Sequence, residues 1–188
     1  MKWHTHSEIE GQHAFLSASK SYWVNYDIEK LGEAYTSFMA AQRGTELHEL
    51  AANLIKHKID LPKTQQTFNM YVNDAILFNM APERVLYFSE NCFGTADAIS
   101  FWKNTLRIHD LKTGVTPVTL RQLEVYAALF CLEYKKKPQD IDIVLRVYQG
   151  DGIQEKNPDS TEIMDIMDKI VIFDKEIEKM KSSMNLDN

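Results

Sequence analysis

Apolar positions along the chain alternate between two periods. From Ala34 to Lys58, Leu47, Leu50, Ala51, Leu54 and Ile55 fall at i, i+3, i+4, i+7 and i+8, which predicts an amphipathic helix. Gly44 interrupts that stretch and marks a candidate start for its second half, and Pro62 closes it. Residues 64–80 repeat the helical pattern with Phe68, Tyr71, Val72, Ala75, Ile76 and Asn79, and Pro82 is the expected stop. The period then changes to that of strands. Arg84–Ser89, Phe93–Trp102 and Thr105–Leu111 are short runs rich in aromatic and β-branched residues, split by Glu90-Asn91 and Lys103-Asn104 as hairpin turns. Thr113-Gly114 and Pro117 end the third run. Val118–Lys135 reads as a helix, Ile141–Tyr148 as a fourth strand, Gly150-Asp151-Gly152 as a turn, and Pro158–Lys181 as a last helix. Before Ala34 no period is sustained, and a short helix starting near Ser17 or Ser19 is expected. A helix joining the third and fourth strands makes those two parallel, while the first three form antiparallel neighbours. The predicted class is α+β with a mixed sheet.

Composition narrows the reading. The chain has 188 residues, 44% of them hydrophobic, enough for one domain with a substantial core. With 7 glycines and 5 prolines it is not a collagenous or largely disordered chain. No apolar run reaches the roughly 18 residues of a membrane span, so no membrane partner is expected. Met1–His6 lacks the apolar segment of a secretory signal. The two cysteines, Cys92 and Cys131, make neither a disulfide framework nor a four-cysteine metal site. A soluble protein of a reducing compartment is expected. The net charge of −6 argues against coating nucleic acid through bulk charge. It is compatible with a carboxylate pocket in which divalent cations reverse the local sign.

Chemistry concentrates in four places. In Arg107-Ile108-His109-Asp110-Leu111-Lys112-Thr113-Gly114, strand alternation puts Asp110 and Lys112 on one face. The carboxylate can hold a hard divalent metal and the ammonium can orient water or stabilise charge on a phosphate. A surface ion pair is the plain alternative. Asp97, in Gly94-Thr95-Ala96-Asp97, can reach Asp110 if the second and third strands pair; otherwise it caps a turn or pairs with Arg107. Gln122 and Tyr126, four apart on the next helix, can contact phosphate or hold Lys112, or simply border its apolar stripe. His48 is a candidate imidazole ligand, with Glu49 competing for the role on the same turn. Lys135-Lys136-Lys137 suits a helix C-terminus or a DNA backbone. His4, His6 and His13 are weaker metal candidates, and Tyr22 and Trp23 can stack on a base or pack on the core.

Together, Gly44-Thr45-Glu46-Leu47-His48, Gly94-Thr95-Ala96-Asp97, Asp110-Leu111-Lys112-Thr113-Gly114 and Gln122-Leu123-Glu124-Val125-Tyr126 resemble, in order and spacing, the RecB-like exonuclease branch of the PD-(D/E)XK nuclease superfamily. His13–Ser19 is similar to the opening of phage-encoded members. The likeness covers roughly residues 12–150. It implies a restriction-endonuclease-like αβββαβ core with a mixed central sheet flanked by helices. It implies a single nuclease domain over 1–188, with a helical part 12–80, a catalytic core 83–150 and a C-terminal helix 158–181. A Mg²⁺ or Mn²⁺ ion would be held by His48, Asp97, Asp110 and the Leu111 carbonyl, with Lys112 the catalytic lysine, Asp97 and Asp110 completing the catalytic set, and Gln122 and Tyr126 facing DNA. No iron–sulfur cluster is expected, because branch members that carry one use four cysteines. The implied activity is that of a metal-dependent DNA exonuclease in phage recombination or replication, acting in the bacterial host cytoplasm beside a single-strand annealing recombinase. A structure-specific endonuclease and a catalytically silent DNA-binding accessory protein are the alternatives; the intact Asp97, Asp110 and Lys112 argue against the second. Finally, Ile163, Ile166, Ile170, Phe173, Ile177 and Met180 are spaced as an a/d seam: residues 160–172 are expected to dock on their own domain and 173–181 can reach a neighbouring subunit in a homo-oligomer, the plain alternative being that the whole helix packs within its own chain.

Overall fold

The structure, a computed structural model, describes residues 7–9, 14–114, 119–150 and 152–186. His4, His6, His13, Pro117, Val118 and the last two residues lie outside the described residues. The chain divides into two compact units, residues 1–45 and 46–188. The division falls within the first helix, α1, which runs from Ile28 to Lys56.

In the first unit a 3₁₀ segment spans Ala18–Asn25, with Ser17 in extended geometry before it and a kink at Lys20. Ser17 makes no side-chain cap; its carbonyl instead accepts the Trp23 indole N–H at 2.9 Å. Trp23 is therefore half-buried against its own unit, while Tyr22 stays exposed. The Phe15 ring packs on Tyr35 and Phe38 of α1, with centroids 5.2 and 5.3 Å away.

The second unit is built on a five-stranded mixed sheet. Its strands are β1 (Ala81–Ser89), β2 (Cys92–Trp102), β3 (Thr105–Lys112), β4 (Asp142–Gln149) and β5 (Gly152–Lys156), in that spatial order. Only β3 and β4 are parallel, joined through α3 (Arg121–Glu133); all other neighbours are antiparallel. The hairpin between β2 and β3 turns at Lys103 and Asn104, both at positive φ, the geometry of a two-residue primed turn. Gly150 at φ +58° serves the turn into β5.

Strand alternation feeds two cores. Leu106 and Ile108 of β3, with Leu145 and Val147 of β4, meet Leu123, Ala127 and Phe130 of α3 and Ile163 of α4 (Ser160–Leu186). On the other face, Leu111 and Tyr148 meet Tyr71, Val72 and Ala75 of α2 (Thr67–Leu77), together with Ala51 and Ile55 from the end of α1. Among the described residues no helix is long and apolar enough to cross a membrane.

Several boundaries differ from the sequence reading. Gly44 does not start a helix: it is buried inside a continuous α1. Pro82 does not stop α2. That helix ends at Leu77, with Asn79 at φ +48°, and Pro82 is the second residue of β1, an edge strand that tolerates a missing N–H. Gly152 opens β5, which the alternating but exposed Ile153 and Glu155 did not announce. The last helix extends past Lys181 to Leu186. The lysine run follows α3 rather than ending it, and the Lys136 ammonium sits 5.3 Å above the Phe101 ring.

Candidate metal centre at the end of β3

The site begins with an irregularity in the sheet. Ala96 and Ile99 are three residues apart in β2, yet both enter the same core cluster, so the alternation of faces is broken between them. Directly across from the break, in the β1–β2 register, stands Glu83, at φ +49°. A left-handed backbone at a non-glycine strand residue costs on the order of 1–3 kcal/mol and persists where the surroundings enforce it. The β2–β3 pairing runs from Trp102 with Thr105 to Ala98 with His109. Beyond it the Asp97 side chain takes over, its Oδ2 accepting the Leu111 amide N–H at 3.1 Å. The same oxygen lies 3.2 Å from Nδ1 of His48, in the C-terminal half of α1.

His48, Glu83 and Asp97 bring three ligand atoms within 4.8 Å of one another. Asp110 adds a carboxylate beside them. It is only 1% exposed, and its Oδ2 is buried with no hydrogen-bond partner. Its other oxygen accepts from Lys112 Nζ at 3.1 Å. Lys112 Nζ also donates to Gln122 Oε1 at 3.2 Å, and Gln122 Nε2 donates to Tyr126 Oη at 2.9 Å. The Tyr126 ring in turn closes on Gly94 with its edge: a Cβ there would stand 2.9 Å from Tyr126 Cε1. One continuous chain of contacts thus joins β3 to α3 and returns to β2.

The electrostatics follow from crowding. The hydrogen bond to Asp97 raises the His48 pKa, against the opposing effect of burial. Burial, then the neighbouring Asp97, raise that of Asp110, with Lys112 pulling the other way. Glu83 is raised chiefly by partial burial and then by Asp97. The buried Tyr71 of α2 borders the cluster, and burial with the charges of Asp97, Asp110 and Glu83 keeps its phenol protonated.

These side chains suit a hard divalent cation. Carboxylate oxygens with one imidazole are the donors that Mg²⁺ and Mn²⁺ accept, and an unpaired buried carboxylate oxygen is costly without a positive partner. The side chains that the resemblance assigns to the site fall in this neighbourhood: His48, Asp97, Asp110 and Lys112 at its centre, Gln122 and Tyr126 behind Lys112. Asp97 pairs with His48 rather than with Arg107. Leu111 is tied in through its amide. Glu49 is exposed and stands outside the triad, so the second carboxylate beside His48 comes from Glu83. Sequence reasoning misses Glu83 because Pro82 reads as a helix stop and the alternating pattern starts the first strand at Arg84. No protein family, curated protein or solved structure matches this chain.

Proposed function

We propose that this protein is a divalent-metal-dependent DNA exonuclease with a PD-(D/E)XK-type site. The observation that carries the reading is the buried, unpartnered Asp110 oxygen beside the His48–Glu83–Asp97 triad, with Lys112 two residues along the same strand. The order of helix, three antiparallel strands, helix and parallel strand supports a restriction-endonuclease-like core.

His48, Asp97 and Asp110 would hold Mg²⁺ or Mn²⁺, with Glu83 and the Leu111 carbonyl as further oxygen donors. Such an ion, when bound, acidifies water and offsets negative charge on a phosphodiester. Lys112 is held between Asp110 and Gln122, so its ammonium is fixed with its third N–H left for a phosphate oxygen. Gln122 and Tyr126 fix the lysine rotamer from α3 and flank the DNA backbone. Hydrolysis forms one bond from water oxygen to phosphorus, breaks one ester P–O bond, and passes a proton to the departing oxygen. An annealing recombinase partner and a role in phage recombination or replication, in a bacterial host cell, complete the proposal.

The test is a digestion series on 5′- and 3′-labelled linear DNA, single- and double-stranded, against closed circles, with Mg²⁺, Mn²⁺ or EDTA. Metal-dependent loss of linear DNA with circles spared is expected. Cutting of circles points instead to an endonuclease, and no cutting under any condition overturns the enzymatic reading.

A further inference from the structure

A second cleft lies at the opposite end of β3. The tip of the β2–β3 hairpin and the end of α2 enclose about 740 Å³, within the range of small-molecule sites. Arg107 and Asp110 are an odd number of residues apart on β3, so the cleft opens on the sheet face opposite to Asp110. Thr105 and Asp110 are separated by roughly 17 Å of strand.

The lining is chemically specific. Its two charged side chains, Lys103 and Arg107, are both cationic, and no carboxylate lines it. That is a local reversal in a chain of net charge −6. The Arg107 guanidinium stacks on Phe78 at 4.6 Å, and its Nη1 is buried with no hydrogen-bond partner. Among the described residues no acidic side chain forms an ion pair with it. The neighbouring Trp102 is 73% exposed, an unusual fate for an indole. Trp102 pairs with Thr105 and Ser100 with Arg107, so indole and guanidinium share one face. They are offset by two residues, about 7 Å along the strand. An anion with a planar ring attached at that reach satisfies both: the anion completes the guanidinium and the ring covers the indole.

We propose that this cleft binds a nucleoside phosphate, with the phosphate on Arg107 and Lys103 and the base stacked on Trp102. The proposal stands on this lining alone and does not depend on the nuclease reading. The same chemistry is offered by a free nucleotide and by one unit of a DNA strand.

The test is calorimetric titration of the full chain in EDTA, which disables any metal centre, with dAMP, inorganic phosphate, deoxyadenosine and a short single-stranded oligonucleotide. Binding of dAMP at least tenfold tighter than phosphate or deoxyadenosine is expected. Arg107→Gln and Trp102→Ala should each weaken it about tenfold or more, as the loss of a charged hydrogen bond or of a stacked base does. Lys112→Ala should leave it unchanged. A tighter oligonucleotide with the same Arg107 dependence identifies a strand as the source, and an oligonucleotide no tighter than dAMP identifies a free nucleotide. Should Arg107→Gln lose the fold in a thermal melt, Lys103→Gln at the exposed turn repeats the charge test with a smaller loss expected. The proposal is overturned by no dAMP binding at millimolar concentration, by phosphate binding as tightly as dAMP, or by affinity indifferent to Arg107 and Trp102.

Discussion

Asp110 and Lys112 sit on one strand face and touch, yet removing each should have a different consequence. Asp110 offers the buried free oxygen, so Asp110→Ala should lose Mn²⁺ binding and with it cleavage, by about 10³-fold or more. Lys112 offers no lone pair while protonated. Lys112→Ala should keep Mn²⁺ affinity within a few fold and lose about 10²-fold or more in rate. Titration with Mn²⁺ beside a cleavage assay separates the two, and equal metal affinity in wild type and Asp110→Ala would sink the assignment. His48 adds a pH signature. Its folded pKa is raised above 6.5, chiefly by the hydrogen bond to Asp97. A raised value means the stabilisation is complete below 6.5 and is lost as pH rises through the folded pKa. Metal-free protein should therefore lose melting temperature just above pH 6.5, and 5 mM Mn²⁺ should reverse the loss there. His48→Ala should abolish that pH dependence and bind Mn²⁺ more weakly, with activity partly rescued at high metal. His109 of β3 behaves oppositely. Burial, and then Arg146 and Arg107, lower its pKa to about 3. Its contribution is present above 6.5 and falls away as pH drops toward 3, by up to about 1.4 kcal/mol per pH unit. Acid melts of wild type and His109→Gln compare the slopes directly, and a parallel pair of curves refutes the idea.

At the level of elements, the contact most exposed to a single methyl group is the one between β2 and α3. A Cβ at Gly94 would meet Tyr126 Cε1 at 2.9 Å. Gly94→Ala should displace the ring, break the Gln122–Tyr126 hydrogen bond and release Lys112, at a cost of about 1–3 kcal/mol in stability. Tyr126→Phe should lose the hydrogen bond while leaving the melt nearly unchanged, so comparing the two in melts and in cleavage separates packing from positioning. This contact also shows what was legible in the sequence. The period of apolar residues located the strand meander, the crossover and α3, because each buries a continuous face. The motif spacing led to His48, Asp97, Asp110, Lys112, Gln122 and Tyr126, which the fold then gathers. Glu83 was not legible, because its place depends on a left-handed residue in an edge strand, and neither backbone angle nor edge position leaves a periodic trace. β5 was hidden for a related reason: it is a short edge strand with an exposed surface and no buried face to impose a pattern. Gly44 misled because glycine lowers helix propensity locally, whereas tertiary packing decides whether the helix continues.

At the scale of the whole molecule, the open question is what the second half of α4 faces. Its first half is anchored: Ile163 is fully buried and Ile170 nearly so, with Ile166 and Met167 packed against the same core. Beyond Ile172 the helix is tethered along one polar edge. Asp174 accepts from Ser89 and Asn91, Glu178 accepts from Asn91, and Lys181 donates back to Asn91, all at the β1–β2 turn. The apolar stripe is left outward, with Phe173 62%, Ile177 37%, Met180 58% and Met184 68% exposed. Spacings of four, three and four keep these residues on one side of the helix, the geometry of a helix-pairing seam. The polar tether fixes the helix without using that side, so the stripe is presented rather than loosely solvated. Two such stripes packed together would remove four large apolar side chains per chain from water, each worth about 1.5–3 kcal/mol if fully buried. Summed over both chains, and reduced because each side chain is already partly covered, that gain exceeds the cost of association by at most the roughly 8 kcal/mol of a micromolar complex, so a dimer that dissociates on dilution is the expected outcome rather than a permanent assembly. Light scattering across a concentration series should show a dimer that dissociates on dilution. The double substitution Phe173→Glu with Ile177→Glu should give a monomer at every concentration while leaving the melt and the β1–β2 tether intact. A wild-type monomer at 100 µM rejects the seam as an interface. A dimer that survives both charges places the interface elsewhere on the chain.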